Sequence, residues 1–334
     1  MKAIALISGG LDSILAARVV SGLGIDVTAV FFKIPFFCNP KKPGIKPEDA
    51  IRKLTGSLGI KLAVIVLADD FLEIVRHPAH GYGSNVNPCI DCKIFMLKKA
   101  AEFMRSSGSQ FLVTGEVLGQ RPMSQNKQSL GVIEKESGLE GLILRPLSAR
   151  LLNETIPEKK GWVKREALLD FNGRSRAPQI ELALKFGIKD YSSPAGGCLL
   201  TDPHFADRVK DLLNHNELTV ENVGLIKVGR YFRVSADVKL AVGRNEAEDN
   251  RIISLALPGD FLFDPPADVA GTTALGRGKF NDQTIQLCAS IASRYCDLNG
   301  QQSINIIYRI FPLEEEKIIT VSPLSEEELV KIRI

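Results

Sequence analysis

Ser8-Gly9-Gly10-Leu11-Asp12-Ser13 stands between an apolar run, residues 2 to 7, and a segment of helical pattern, residues 12 to 23. A strand feeding a helix through such a loop points unpartnered backbone N–H groups at whatever lies beyond the helix start, and the helix dipole favours an anion there. Gly9 and Gly10 let the main chain approach that anion, while the Ser8 and Ser13 hydroxyls can donate to it. Asp12 repels a phosphate unless a divalent cation lies between them, which assigns it a Mg2+ role. The plain alternative is a glycine turn with Ser or Asp capping a helix. The string matches neither G-x-x-x-x-G-K-[ST] nor G-x-G-x-x-G.

Outward from the loop, strand and helix signals alternate. Residues 26 to 32 (Asp-Val-Thr-Ala-Val-Phe-Phe) predict a second strand and 48 to 58 a helix after a Pro-rich loop at 34 to 47. A third apolar strand follows at 61 to 67, a long helix at 91 to 106, a fourth strand at 111 to 114, a helix at 122 to 129 and a short strand around 142 to 144. Continuous apolar strands in β-α-β-α order predict an α/β fold with a parallel, doubly wound sheet. Residues 150 to 190 read as a more polar helical extension with Lys159, Lys160, Lys164, Arg165, Arg174 and Arg176. Beyond Pro194 to Cys198 the order changes to helix 204–214, strands 225–234 and 238–243, helix 246–255, strand 260–263, helix 281–296 and strands 303–310 and 316–321. That is a second, smaller α+β domain, so the expected domains are 1–202 and 203–334.

Length and composition bound the function. The 334 residues allow about two domains. With 45% hydrophobic and 24% charged residues the chain is neither disordered nor fibrous. A net charge of +3 excludes a whole-chain commitment to nucleic acid, so any polyanion site is a local patch. Six cysteines are too sparse for a secreted disulfide framework, no signal peptide is expected at the N-terminus, and the longest apolar stretch, 62 to 68, is far shorter than a membrane helix. The expected setting is a reducing cytoplasm, without a membrane.

Cys89 and Cys92, in Asn87-Pro88-Cys89-Ile90-Asp91-Cys92, open the predicted 91–106 helix, where the dipole lowers a thiol's pKa. Cys198 lies in a Gly-rich stretch, Ala195-Gly196-Gly197-Cys198-Leu199, that would let its backbone approach a site. Three thiolates can hold a 4Fe-4S cluster and leave one iron open. Structural zinc is the competitor and needs a fourth ligand from Cys38, His77, His80 or His204. Persulfide chemistry between cysteines is a third reading. Cys288 and Cys296 are eight apart on a predicted helix and read as core, and Cys38 as a bystander. Trp162, among Lys160, Lys164 and Arg165, either stacks on a base or anchors an amphipathic helix.

S-G-G-L-D-S after an N-terminal strand resembles the PP-loop of the ATP pyrophosphatase superfamily, whose sheet is the adenine nucleotide alpha hydrolase type and whose members cleave ATP to AMP and pyrophosphate. Together with N-P-C-x-x-C and the later G-G-C, it resembles tRNA thiouridine synthetases over residues 1 to 202. Thr114-Gly115-Glu116-Val117-Leu118-Gly119-Gln120 with Ser124-Gln125 is similar to a segment of 4-thiouridine synthetases, and N-P-C to the 2-thiouridylases. The 4-thiouridine synthetases carry an RNA-binding THUMP domain ahead of the loop, whereas here the loop begins at Ser8. The C-terminal half, with Val228-Gly-Arg-Tyr-Phe-Arg233 and Val242-Gly-Arg-Asn-Glu246, resembles the RNA-binding domain of NFACT proteins and is expected to stand in for it.

The resemblance implies an ATP-dependent tRNA sulfurtransferase using ATP and Mg2+. Asp12, Cys89, Cys92 and Cys198 are its implied catalytic residues, the cysteines doubling as metal ligands, and Ser8, Gly9, Gly10, Leu11, Asp12, Ser13, Phe32, Gly115 and Gln120 hold ATP. Arg121, Lys160, Lys164 and Arg165 are the implied RNA contacts. Implied partners are tRNA and a sulfur donor, either sulfide or a cysteine desulfurase or carrier protein, with a homodimer allowed. An ATP-dependent carbon–nitrogen ligase is the rival enzyme, since it needs neither Cys pair nor Cys198.

Overall fold

A computed structural model describes residues 1–37, 46–189, 191, 198–313 and 315–334. Cys38 and Gly196-Gly197 lie outside the described residues. The chain divides into two compact units, Met1–Thr201 and Asp202–Ile334.

The first unit runs β1 (Lys2–Leu6), α1 (Leu11–Ser21), β2 (Asp26–Lys33), α2 (Pro47–Ser57), β3 (Lys61–Val66), α3 (Asp69–Arg76), α4 (Cys89–Ser106), β4 (Phe111–Val113), α5 (Lys127–Ser137), β5 (Ile143–Leu144), α6 (Ile156–Lys159) and α7 (Ala177–Lys185). Its five strands are all parallel in the order β3-β2-β1-β4-β5. The strands are apolar throughout because both faces are covered. Ala3, Ala5, Val27, Ala29, Phe31, Phe111 and Val113 pack in one cluster with Ile14, Leu15 and Ile51 of α1 and α2. Their neighbours Ile4, Val30 and Leu112 are equally buried on the opposite face, where α4 contacts β1 and β4. The sheet is doubly wound, as its sequence pattern predicts.

Three local expectations are corrected. The helix predicted at 122–129 is a turn followed by α5, because Asn126 caps the helix by accepting from Ser129 N at 2.8 Å. Residues 150 to 190 are not continuously helical. Pro157 and Pro178 sit at helix starts, and Gly161 and Gly173 take positive φ, leaving α6, α7 and two 3-10 turns, Ala149–Leu151 and Arg165–Ala167. α3 is additional, folded directly after β3.

The second unit comprises α8 (Pro203–Asn214), α9 (Val220–Ile226), β6 (Arg230–Arg233), β7 (Val238–Val242), α10 (Glu246–Ile253), β8 (Phe261–Asp264), β9 (Ala274–Gly278), α11 (Asp282–Ser293), β10 (Ile304–Ile310), β11 (Lys317–Val321) and α12 (Glu326–Ile332). Its antiparallel sheet has the order β11-β10-β8-β9-β7-β6. α11 closes one core with Phe232, Leu240 and Ile306, while Leu225 of α9 and Ile252 of α10 close another with Ala241 and Leu275. The strand predicted at 225–234 begins only at Arg230, since α9 takes the preceding residues behind a Thr219 cap. β9 and α12 are additional to the expected elements. Among the described residues, no helix is long and apolar enough to cross a membrane.

Candidate functional site

In a parallel sheet the strand order reverses at β1, which pairs with β2 on one side and β4 on the other. The crevice beyond the carboxyl ends of strands at such a reversal is where open α/β sheets bind ligands. The residue 7–10 loop leaves β1 there, and residues 114–126 leave β4. α4 packs on β1 and β4 and leads directly into β4, so its N-terminus lies on the same edge.

Gly9 has φ +80°, a conformation that favours glycine, and Gly10 is the residue before α1 with no side chain to cap the helix. The loop is tied by its own hydroxyls. Ser13 Oγ donates to the Gly10 carbonyl at 2.8 Å and accepts from Ser8 N at 3.2 Å. Gly115 supports the loop from β4, because a Cβ there would lie 2.5 Å from the Asp12 carbonyl carbon and the Ser13 nitrogen. Leu11 is buried in the core behind the loop.

Asp12 is held from two directions. Gln120 Nε2 donates to its Oδ2 at 2.8 Å, and the Arg176 guanidinium stands 3.9 Å from its Oδ1. Gln179, fully buried on α7, donates to Gln120 Oε1 at 3.2 Å. Asp12 Oδ1 is buried without a hydrogen-bond partner, and so is Arg176 Nε. A buried carboxylate oxygen left unmet, with a guanidinium nearby, suits a divalent cation and an anionic ligand arriving together. Sequence reading missed Arg176 and Gln179 as site residues. Their three-residue spacing at a helix start was the available signal.

Next to Gly115, Glu116 joins the loop to the cysteine helix. It pairs with Lys93 of α4 and with Arg145 Nε at 2.8 Å, and Arg145 pairs in turn with Glu134. Burial opposes ionisation of Glu116, but Lys93 and Arg145 outweigh it and hold its pKa down at about 2. Phe32, expected at the nucleotide, is buried near the carboxyl end of β2 opposite Ile65.

Cys89 and Cys92 fall inside the first turn of α4, which begins two residues before its predicted start. Cys89 Sγ donates to Asn87 Oδ1 at 3.0 Å. Cys198 arrives from 109 residues away, as its sequence numbers give, and bridges antiparallel to Phe37. Leu199 N donates to the Phe36 carbonyl at 3.1 Å, and Asn85 Nδ2 donates to the Thr201 carbonyl at 3.0 Å. The Cys92 thiol is pushed well above its ordinary range, first by burial, then by Cys198 and Cys89, with Lys93 opposing. Cys92 is therefore within electrostatic reach of both other thiols. Among the described residues, no three His, Cys, Asp or Glu side chains are gathered into a metal-holding group. In kind, the three soft sulfur donors match iron–sulfur ligation.

Of the zinc candidates, His80 is engaged elsewhere: Nδ1 meets Asp91 at 2.9 Å and Nε2 meets Glu136 at 3.1 Å. The Asp91 hydrogen bond raises its pKa against the effect of burial. His77 is exposed at the end of α3.

Among the expected RNA contacts, Arg121, Lys160 and Lys164 are exposed. Arg165 is committed internally, donating to Glu158 at 2.6 Å and to the Leu152 carbonyl at 2.8 Å, so its expected RNA role is corrected to a structural one. Trp162 stacks on Phe111 at 6.4 Å with Lys160 over its ring at 4.9 Å. It packs against the core, the anchoring alternative of the two.

Residues 1–156 match the family model described as thiamine biosynthesis protein (ThiI), and residues 229–333 match the NFACT protein RNA binding domain. A tRNA-specific 2-thiouridylase MnmA of Campylobacter curvus is 31% identical over 34% of this chain and 34% of its own. A protein named "Probable tRNA sulfurtransferase" of Thermococcus kodakarensis is 29% identical over 44% of this chain and 36% of its own. The chain thus spans about a third of the length of these relatives. A crystal structure of a 4-thiouridine synthetase–RNA complex with bound ATP aligns at 19% identity and a TM-score of 0.37, over 66% of this chain and 53% of that one, a likeness too slight to bear weight.

Proposed function

We propose that this chain replaces a carbonyl oxygen of a tRNA uridine with sulfur, converting ATP to AMP and pyrophosphate. The observation that carries the reading is a loop holding Asp12 and a Cys89-Cys92 helix start that leave the same edge of one sheet, with Cys198 in electrostatic reach of Cys92. The family matches support it by assigning residues 1–156 to the ThiI model and residues 229–333 to an RNA-binding domain.

The chemistry follows from the residues. ATP phosphates meet the open N–H groups of α1 and the Ser8 and Ser13 hydroxyls, and Asp12 would hold a Mg2+ ion that offsets their charge. The uridine carbonyl oxygen attacks the α-phosphorus and pyrophosphate leaves. Arg176 and the α1 dipole stabilise the charge that develops. Sulfide then adds at the adenylated carbon, and AMP departs with the original oxygen. The protein contributes position and charge rather than a covalent intermediate. A 4Fe-4S cluster would be held by Cys89, Cys92 and Cys198, and its remaining iron would supply sulfide in a nucleophilic form.

A second reading keeps the reaction but uses a persulfide on one of the three cysteines, with another resolving it as a disulfide. It is favoured by Cys92 lying within electrostatic reach of Cys198 and of Cys89, since this route needs only a pair of thiols. Anaerobic purification with iron and labile-sulfide assays, followed by nucleoside mass spectrometry of treated tRNA, separates the two. Iron with acid-labile sulfide and a new thionucleoside is the expected result. An iron-free protein that still thiolates tRNA assigns the persulfide route. Unaltered turnover in Cys198→Ala, with nitrogen rather than sulfur incorporated, would point to a carbon–nitrogen ligase.

A further inference from the structure

β6 ends the antiparallel sheet, and the end of the chain lies along its free edge. Phe232 and Arg333 form an antiparallel bridge, and Ile334 N donates to the Tyr231 carbonyl at 3.0 Å. This pairing protects an edge that would otherwise be open. It also fixes the position of the charged Arg333 side chain.

Around that edge, two arginines meet one tyrosine and a third shares a carboxylate with one of them. The Arg230 guanidinium carbon lies 4.2 Å from the centre of the Tyr295 ring, and its Nη1 donates to the Gly243 carbonyl at 2.8 Å. Arg333 Nη2 donates to the Tyr295 hydroxyl at 3.2 Å, and the same guanidinium lies 5.8 Å from the ring centre of buried Phe232. Arg294 and Arg333 share a single carboxylate, Glu326, at 2.9 and 3.5 Å. Among the described residues no carboxylate lies within ion-pair distance of Arg230. Glu248, already engaged by Arg244, feels its field from further away.

Arg294 and Arg333 are exposed and Tyr295 is half-buried, so the group borders solvent rather than filling core. Three cations against one shared carboxylate leave an excess positive charge. Two of them are oriented by an aromatic ring, which lowers the entropy lost when they engage a ligand. A ligand matching this pattern offers flat π-faces and closely spaced negative charges. Single-stranded RNA offers both, since its bases are unstacked and its phosphates unshielded.

We propose that Arg230, Tyr295, Arg333 and Arg294 form the surface on which the second unit grips a single-stranded segment of the tRNA. The proposal rests on the tRNA reading above and adds the residues and the kind of strand they take. An acidic protein partner is the competing occupant, and charge alone would serve it.

The test is fluorescence anisotropy of the full chain with labelled tRNA at two salt concentrations. Tyr295→Ala is expected to weaken binding about tenfold with an unchanged salt slope, because it removes the ring that orients Arg230 but no charge. Arg333→Glu is expected to weaken it about tenfold or more and to lower the salt slope by about one or more. Exposed Arg251→Glu on α10 is the equal-charge control and should leave affinity within about twofold. Unfolding midpoints confirm that each variant is folded. Because Tyr295→Ala loosens the β6 edge, the exposed Arg333→Glu substitution keeps the proposal open to refutation by itself. Unchanged tRNA affinity in Arg333→Glu, or equal losses in Arg251→Glu, overturns the surface while leaving the tRNA reading intact. A wild-type chain that binds no tRNA overturns both. Equally tight binding of duplex RNA overturns the single-strand assignment.

Discussion

Cys92 is half-buried and Cys288 buried, and both thiols are pushed far above their ordinary pKa, yet the causes differ. Cys288 sits among Ala289, Ile291 and Phe263 in an apolar core, and burial alone raises it. Cys92 is raised by burial and then by the thiols of Cys198 and Cys89. A lone buried thiol is a small apolar side chain. A thiol flanked by two others is relieved, when it ionises, by a cation, and this separates a site from a core. Cys296, raised to about 11 mainly by burial, belongs with Cys288.

Substitutions can break that contrast. Cys92→Ser and Cys198→Ser should each bring tRNA thiolation to background, while Cys288→Ala leaves turnover intact. Retained thiolation in Cys92→Ser would erase the distinction. The next largest effect falls on Glu116, which joins the cysteine helix to the loop. Its folded pKa of about 2, against 4.5 unperturbed, means that its contribution is complete above pH 4.5 and lost as pH falls towards 2. That corresponds to about 3 kcal/mol. Glu116→Gln should flatten this limb of the stability–pH curve, measured by chemical denaturation between pH 5 and about 2.5.

Gly115→Ala would force the Asp12 and Ser13 backbone to move, so it should weaken ATP use by roughly ten- to a hundredfold through the nucleotide's KM, read in steady-state kinetics. The smallest effects belong to residues without a part in the site. Cys288→Ala should cost about 1–2 kcal/mol of unfolding free energy. Arg165→Gln should cost about 1–2 kcal/mol and leave tRNA affinity unchanged, since its hydrogen bonds are internal.

The parallel sheet was legible because buried strands are continuous apolar runs, and the loop because its residues are contiguous. β9 was not, because Ala-Leu-Gly-Arg-Gly reads as a loop. Gly276 is needed there, since a Cβ would lie 2.5 Å from the Phe280 ring, and buried Arg277 is neutralised by Asp260 at 2.6 Å. α5 was displaced because Asn126 caps it from inside a segment that already looked helical. In the site, Asp12 and Gln120 could be singled out from the sequence and Arg176 could not. Arg176 lies 164 positions away, as the numbers give, and a pairing across that separation leaves no local periodicity.

The central claim is that one edge of the first unit couples ATP cleavage to sulfur insertion. The direct measurement is nucleoside mass spectrometry of tRNA incubated with the purified full chain, Mg2+-ATP and sulfide under anaerobic conditions, with AMP counted in parallel. The predicted result is one thiouridine per AMP formed, lost in both Asp12→Ala and Cys198→Ser. Thiouridine formed without AMP, or formed equally by Cys198→Ser, would contradict it.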